Sequence, residues 1–413
     1  MAAPRSGIAR VERDALGEVE VPGAGLYGIH TVRAVTLAAS DRRLRHHPAF
    51  LHALAAVKHA AARANRDAGV IPAEMGRAIE AACVEIASGK YDEQFPVDLL
   101  TGGGGIGINM NVNEVIANLA NEALGGVRGT YEPIHPKTHV NASQSTADVC
   151  HTATRLAILR CWSPLAGSLS ECVRTLQAQA GELRPIITMS RTCLQDGFAV
   201  SLGELFDGFA AVVERRRSEC DRSMQALRQV NLGGTVIGSE AGAPAAYRAV
   251  VLTHLTEITG APLVHRTNLY DAAQNLDDLA AVSAHLALLA QALIKTAQDL
   301  RLLASGPRGG FGEIVLPAVQ EGSSFFDRKI NPVVPETMLQ CGFQVLGCDR
   351  AVQLAGERGE LYLNIFEGLA AANLFEAIGL LTKTVPLFTQ CIRGLTANEA
   401  RCRELAAQAR QPS

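Results

Sequence analysis

Apolar side chains recur along this chain at a helical step over long stretches. Leu279, Val282, Leu286, Leu289 and Leu293, followed by Leu300 and Leu303, alternate spacings of three and four, the seam of one long helix. The pattern predicts a helix over 276–305, roughly 40 Å long, ended by Gly306-Pro307. A second seam runs through Leu202, Phe206, Phe209 and Val213, with Cys220, Met224 and Leu227 beyond, and stops before Gly233-Gly234. A third covers about 152–181 through Leu156, Leu159, Leu165, Leu169, Cys172 and Leu176, with a kink expected at Pro164. A fourth begins near Thr337 and continues past Ala370. Strand signals are few and lie near the N-terminus, in "GEVEVP". Helices of this length form a bundle core, and seams on more than one side are normally buried against copies of the same chain. The expected fold class is all-α, in a homo-oligomer.

Composition narrows the function. The 413 residues are 48% hydrophobic and 19% charged, which supports a sizeable core and excludes a disordered chain. A net charge of −3 with interspersed signs argues against nucleic acid or an anionic membrane as partner. No run reaches 18 uninterrupted apolar residues, and "MAAPRSGIARVERD" lacks the apolar centre of a signal peptide. A soluble, cytoplasmic protein is therefore expected. Ten cysteines occur without a CxxC pair or a Cys/His set at zinc spacing, which reads as reduced thiols and no metal site.

Four polar segments stand out against this apolar background. "GGGGIG" at 102–107 satisfies G-x-G-x-x-G formally, but its surroundings show no alternation of strand and helix, so a dinucleotide site is disfavoured. The same glycines would also suit backbone N–H groups facing an anion at a helix N-terminus, or simply a flexible turn. "HPKTHVNASQSTADV" at 135–149 and "SRTCLQDG" at 190–197 each sit just before a long helix, where a single hydroxyl is most often an N-cap. "GSSFFDRKINP" at 322–332 joins hydroxyls, a lysine and an asparagine to two phenylalanines. Taken together, three such loops abutting core helices suit a pocket for a small carboxylate.

These blocks resemble the aspartase/fumarase superfamily over nearly the whole chain. "VERDALGEVEVPGAGLYGIHTVRAV", "GINMNVNEVIANLANE", "HVNASQSTADV", "GGTVIGS", "GPRGGFGEIVLPAVQEGSS" and "GLTANEARCREL" follow in family order, and "GSSFFDRKINP" is similar to the signature loop GSSxMPxKxNP. The resemblance is nearer to aspartate ammonia-lyases and class II fumarases than to other branches. It implies three mostly helical domains, here 1–140, a central long-helix bundle over 141–390, and a short remnant of the C-terminal domain at 391–413, truncated relative to the family. It further implies a twenty-helix core in a homotetramer, with composite active sites drawn from three subunits. The implied chemistry is anti β-elimination from a small dicarboxylate to give fumarate, without metal or organic cofactor, carbon–nitrogen cleavage being favoured over carbon–oxygen.

Carried over by position, Ser323 matches the general base of the mobile loop. Ser145, Thr146 and Ser324 match hydroxyls that hold the carboxylate next to the abstracted proton. Thr192, Lys329 and Asn331 match the groups on the other carboxylate, and Glu336 matches an acid that pairs with a pocket histidine in fumarases. The departures concentrate on the leaving-group side. Ile106 stands for the family's threonine, Ala147 for asparagine and Cys193 for histidine, while Phe326 and Asp327 replace methionine and proline in the signature loop. An ammonium beside Ile106, Ala147 and Cys193 would be desolvated and poorly paired. The resemblance therefore implies a lyase for an N-substituted or otherwise modified aspartate, or the reverse addition to fumarate. The alternatives are an ordinary aspartate ammonia-lyase or fumarate hydratase, and a catalytically impaired homologue kept for binding or structure. A retained base and carboxylate clamp favour the first. Cys193 reads as an inert small side chain, with no histidine in its motif to activate it.

Overall fold

The computed structural model describes residues 9–410. A short hairpin opens the chain, β1 (Arg10–Asp14) against β2 (Gly17–Val21), as "GEVEVP" predicts. Helices α1 (Ile29–Val35), α2 (Pro48–Asp67), α3 (Ala73–Ala87) and α4 (Ile106–Ala123) follow. Then come α5 (Thr146–Leu183), the hairpin β3 (Ile187–Thr192) and β4 (Gln195–Ser201), and α6 (Leu202–Ala226). The remaining elements are β5 (Gln229–Val230), α7 (Ala245–Thr259), β6 (Val264–His265), α8 (Leu269–Gln274), α9 (Asp277–Leu303), β7 (Ile314–Val315), α10 (Val333–Glu357), α11 (Glu367–Arg393), β8 (Thr396–Ala397) and α12 (Glu399–Ala407).

The long seams fold as their spacing requires. On α9, Leu279, Val282, Leu286, Leu289, Leu293 and Leu300 are all buried. This helix is long and apolar enough to cross a membrane by length and composition, but its leucine seam is core. On α6, Phe206 and Phe209 are buried and meet edge to face at 5.5 Å. The third seam is α5, which runs unbroken through Pro164. The fourth is not one helix. It ends at Glu357 and restarts at Glu367, with Leu361 at φ 46° between them. Asn364 organises the break: its Nδ2 donates to Ala355 O at 2.9 Å and its Oδ1 accepts from Phe366 N at 2.9 Å. An asparagine that bonds backbone on both sides competes with helical bonding, and periodicity alone does not register this.

The chain divides into two compact units. One comprises residues up to Cys161 with Met224–Ala281 and Ala351–Phe375; the other comprises Trp162–Ser223, Val282–Arg350 and the chain from Glu376. In the first, α2 packs on α3 and α7, and α4 packs on α1 and α3. Glu114 of α4 is buried and accepts Gly28 N at 2.8 Å, His30 N at 2.9 Å and Thr31 N at 3.1 Å, fastening the start of α1. Among the described residues every sheet is a two-stranded pair, and the segment before the glycine run holds turns and one bridge, Arg43 to Asp98. The βαβ frame that a dinucleotide fingerprint requires does not surround those glycines.

In the second unit, β3–β4 is a hairpin that the sequence shows only as a polar step. Its tip residues Cys193 and Leu194 have φ of 54° and 58°, the left-handed pair of a tight hairpin turn, without the Asn or Gly that would announce it. Burial of Glu313 holds β3 in place. The carboxylate takes the Thr188 hydroxyl and Arg191 Nη1, the latter at 2.6 Å, and the Arg191 guanidinium lies 4.1 Å over the Phe311 ring. Removing one member of a buried ion pair costs on the order of 3 kcal/mol. Glu313→Gln is expected to lower the unfolding free energy by that order and to speed hydrogen exchange across 187–201. Unchanged exchange in that hairpin would contradict this account of its anchoring.

Candidate active site

The first loop is built at the start of α5. Ser145 and Asp148 form a capping box: Ser145 N donates to Asp148 Oδ1 at 2.8 Å, and Ala147 N donates to Ser145 Oγ at 3.4 Å. The second oxygen of Asp148 accepts Gly233 N and Thr235 N, both at 3.0 Å, so this buried carboxylate ties the loop to the "GGTVIGS" segment. Burial lifts Asp148 to about 6, against the pull of those three N–H groups and of Lys58. Thr235 and Ile237 adopt φ of 56° and 55°, unfavourable for β-branched residues, and the Asp148 bonds help hold that strain.

The glycine run delivers Ile106 to the same place. Gly103, Gly104 and Gly105 all have left-handed φ, and a Cβ on Gly105 would meet Cys150 Sγ at 3.2 Å and Thr146 Cγ2 at 3.6 Å. Only glycine lets the backbone pass that close to α5 in this conformation. Ile106 is 47% exposed and borders a cavity of about 170 Å³ with His30, Arg33, Leu37 and Met110. Ala147 is buried, and Thr146 Oγ1 accepts Asn109 Nδ2 at 3.0 Å. The structure therefore brings Ser145, Thr146, Ala147 and Ile106 together within one unit.

The signature loop lies in the other unit and closes on itself. Gly322 N donates to Lys329 O at 2.7 Å, and Asn331 Nδ2 donates to Gly322 O at 2.6 Å. A Cβ on Gly322 would lie 2.6 Å from Asn331 N, so the closure demands glycine. Inside it, Ser323 Oγ accepts two backbone N–H groups, Phe325 at 3.0 Å and Phe326 at 2.7 Å. Two donors aimed at one hydroxyl oxygen favour negative charge on that oxygen. Phe325 and Phe326 meet edge to face at 4.9 Å and are 86% and 58% exposed, and Lys329 Nζ lies 5.5 Å from the Phe326 ring. Asp327 faces Arg328 at 3.5 Å, with both side chains almost fully solvated, a pairing worth little. Ser324 follows Ser323 directly and shares its loop.

Thr192 ends β3 and Cys193 begins the hairpin turn, where its free thiol is exposed. Glu336, which matches the acid that pairs with a pocket histidine in fumarases, lies in the first turn of α10 and faces Arg301 Nη2 at 3.4 Å. The predicted residues thus fall into three separately built pieces: the α5 front with the glycine run, the hairpin tip, and the closed loop with α10. Among the described residues no group of three or more His, Cys, Asp or Glu is placed to hold a metal.

Sequence reasoning missed the residues beneath these pieces: Lys58, Asn109, Asn141 and Asp148 under the first loop, and Arg191 with Glu313 under the hairpin. Two signals were present. "NMNVNEV" sets asparagines on consecutive turns of an otherwise apolar helix, and Lys58 interrupts the alanine-rich face of α2.

The chain matches a family described as lyase over residues 17–347. It is 42% identical to an aspartate ammonia-lyase of Pseudomonas fluorescens over 399 residues, 96% of this chain and 84% of that protein. It is 39% identical to that of Escherichia coli strain K12 over 396 residues, 95% and 83% of the two chains. Among solved structures, a fumarate lyase:delta crystallin from Brucella melitensis bound to cobalt superposes with a TM-score of 0.94 at 43% identity, over 96% of this chain and 87% of that one. A recombinant class II fumarase from Schistosoma mansoni gives a TM-score of 0.92 at 29% identity, again over 96% and 87%. The chain belongs to the aspartase/fumarase superfamily of lyases, as a mostly helical carbon–nitrogen lyase.

Proposed function

We propose that this protein catalyses anti β-elimination from a substituted succinate, an N-substituted or otherwise modified aspartate, to give fumarate, or the reverse addition to fumarate. The observation that carries this reading is a contrast between two sides of the site. Ser323 sits in a closed loop with two N–H groups on its oxygen, whereas Ile106, Ala147 and Cys193 offer no amide or imidazole for a departing ammonium. Each donor left unpaired on a desolvated ammonium costs about 1–3 kcal/mol, so a bulkier or less polar group suits these three positions better. In this mechanism Ser323 removes the proton next to one carboxylate. Ser145, Thr146 and Ser324 hold the dianionic aci-carboxylate that forms, and Thr192, Lys329 and Asn331 hold the far carboxylate. Holding both ends fixes the reacting C–H and C–N bonds anti to one another.

The active unit in this reading is a cytoplasmic homotetramer with three domains per chain (1–140, 141–390 and 391–413), each site taking its three loops from three subunits. Exposed apolar side chains along the long helices, Phe343 at 57% and Leu387 at 51%, support burial against other copies. Plain aspartate ammonia-lyase activity is the second reading, favoured by the 42% identity to a protein of that name.

Ser323→Ala is expected to lower kcat by about 10²–10⁴-fold, the usual contribution of a positioned base, with the elution volume on size exclusion unchanged. Fumarate incubated with ammonia, larger amines, hydrazines and thiols, followed by absorbance loss and product mass, should yield adducts of a larger nucleophile in preference to ammonia. Turnover of plain L-aspartate at rates ordinary for an ammonia-lyase would defeat the altered-pocket reading. The triple change Ile106→Thr, Ala147→Asn, Cys193→His is expected to shift activity toward L-aspartate.

A further inference from the structure

Lys58 is fully buried on α2, directly beneath the first loop. Its Nζ donates to Asn141 Oδ1 at 2.9 Å, and the same oxygen accepts Asn109 Nδ2 at 3.0 Å and Asn113 Nδ2 at 3.1 Å. Asn109 Nδ2 also donates to Thr146 Oγ1 at 3.0 Å. An ammonium can only donate, so it forces the oxygen of Asn141 to face it. That choice sends Asn141 Nδ2 to Gln144 O at 3.1 Å and obliges Asn109 to present its NH₂ group. The second Asn109 hydrogen then occupies an acceptor position on Thr146, whose own hydroxyl hydrogen is left to donate elsewhere. The direction of every bond in this relay follows from the lysine.

The titratable groups facing Lys58 are Asp148 and Cys150 from α5 and Cys83 from α3. Burial pushes Cys150 up to about 12 and raises Cys83 further, so both thiols are neutral. On α7, Tyr247 is also buried and interacts with Asp148; burial holds its hydroxyl well above its usual range, so it is neutral too. Asp148 is thus the one anionic neighbour in this set, and it is already bonded to three backbone N–H groups. Burial brings Lys58 down to about 7. Nothing in the packing of α2 requires a charge here. Without the ammonium, Asn141 Oδ1 keeps two donors and Asp148 keeps three.

We propose that Lys58 is a positioning residue for the dicarboxylate: acting through Asn141 and Asn109, it turns the Thr146 hydroxyl outward and places positive charge behind the carboxylate held at Ser145 and Thr146. The proposal rests on the dicarboxylate reading above and adds a residue that touches no substrate. A bound dianion stabilises the protonated amine, so binding draws a proton onto Lys58 at pH values above 7.

The test uses the intact assembled protein and succinate, which carries both carboxylates and no leaving group. Titration calorimetry at pH 7.5 in buffers of different ionisation enthalpy should show uptake of roughly half a proton or more per site. Lys58→Met should abolish that uptake and weaken succinate about tenfold, while raising Tm. The unfolded chain binds the lysine proton up to about 10.5 and the folded chain only up to about 7, so charge burial opposes folding most below pH 7. The Tm gain of the methionine variant should therefore shrink as pH rises from 7 toward 10. A merely structural lysine would give the opposite: lower Tm on substitution and unchanged succinate affinity. Succinate binding without proton uptake overturns the proposal and leaves the dicarboxylate reading standing, whereas absence of succinate binding overturns both. If the methionine variant does not fold, the pH profile of the wild-type uptake decides the question: it should peak above pH 7, beyond the value of about 7 for Lys58, whereas a peak nearer pH 6 assigns the proton to Asp148 and overturns the proposal.

Discussion

The carboxylate of Asp148 accepts the Ser145 N–H on one oxygen and the Gly233 and Thr235 N–H groups on the other, entirely out of water. Two segments far apart in sequence are joined at one residue by this arrangement. Without it the front of α5 would have an unsatisfied N–H at Ser145, and the "GGTVIGS" segment would have to keep its left-handed Thr235 and Ile237 unaided. Because Ser145 and Thr146 begin α5, their orientation follows from that anchoring, as does the close passage of the glycine run beside Thr146.

The first unit invests heavily in buried polarity. Lys58, Asn65, Asn109, Asn111, Asn113, Glu114, Asn118 and Asn121 are all withdrawn from solvent. Such groups add little net stability even when bonded, and one left unpaired is costly. Their return is directional. Asn65 Oδ1 accepts the Ser143 hydroxyl at 2.6 Å, Asn118 Nδ2 donates to Leu26 O at 2.7 Å, and Asn121 grips Ile134 through both its N–H and its oxygen. A purely apolar helix can slide and rotate against its neighbours at small cost, whereas an amide ladder accepts one register. That single register fixes where the loop residues of this unit stand.

The second unit presents its candidate residues differently. Thr192 and Cys193 end a hairpin whose turn adopts left-handed φ without glycine, anchored from behind by Glu313. Ser323 sits half-buried in a loop closed by the N–H that Gly322 donates and the N–H that its carbonyl accepts, next to the exposed Phe325 and Phe326. Here backbone geometry, rather than burial, presents the side chains.

Much of this was legible in the residues alone. The leucine seams located α6 and α9 to within a few residues, because the 3.6-residue period of a buried face is written directly in spacing. Ordered motifs across the chain pointed to the superfamily, and the substitutions at Ile106, Ala147 and Cys193 needed only the sequence. Other features required the fold. The break between α10 and α11 depends on Asn364 finding backbone partners, and the β3–β4 hairpin depends on Glu313, more than a hundred residues away in sequence. Lys58 interrupts an apolar face and Asp148 stands three residues after Ser145, but only packing reveals that both are sealed beneath the loop. Sequence determines which faces are apolar, because that is local periodicity; which polar groups become buried partners is decided by distant segments meeting in space.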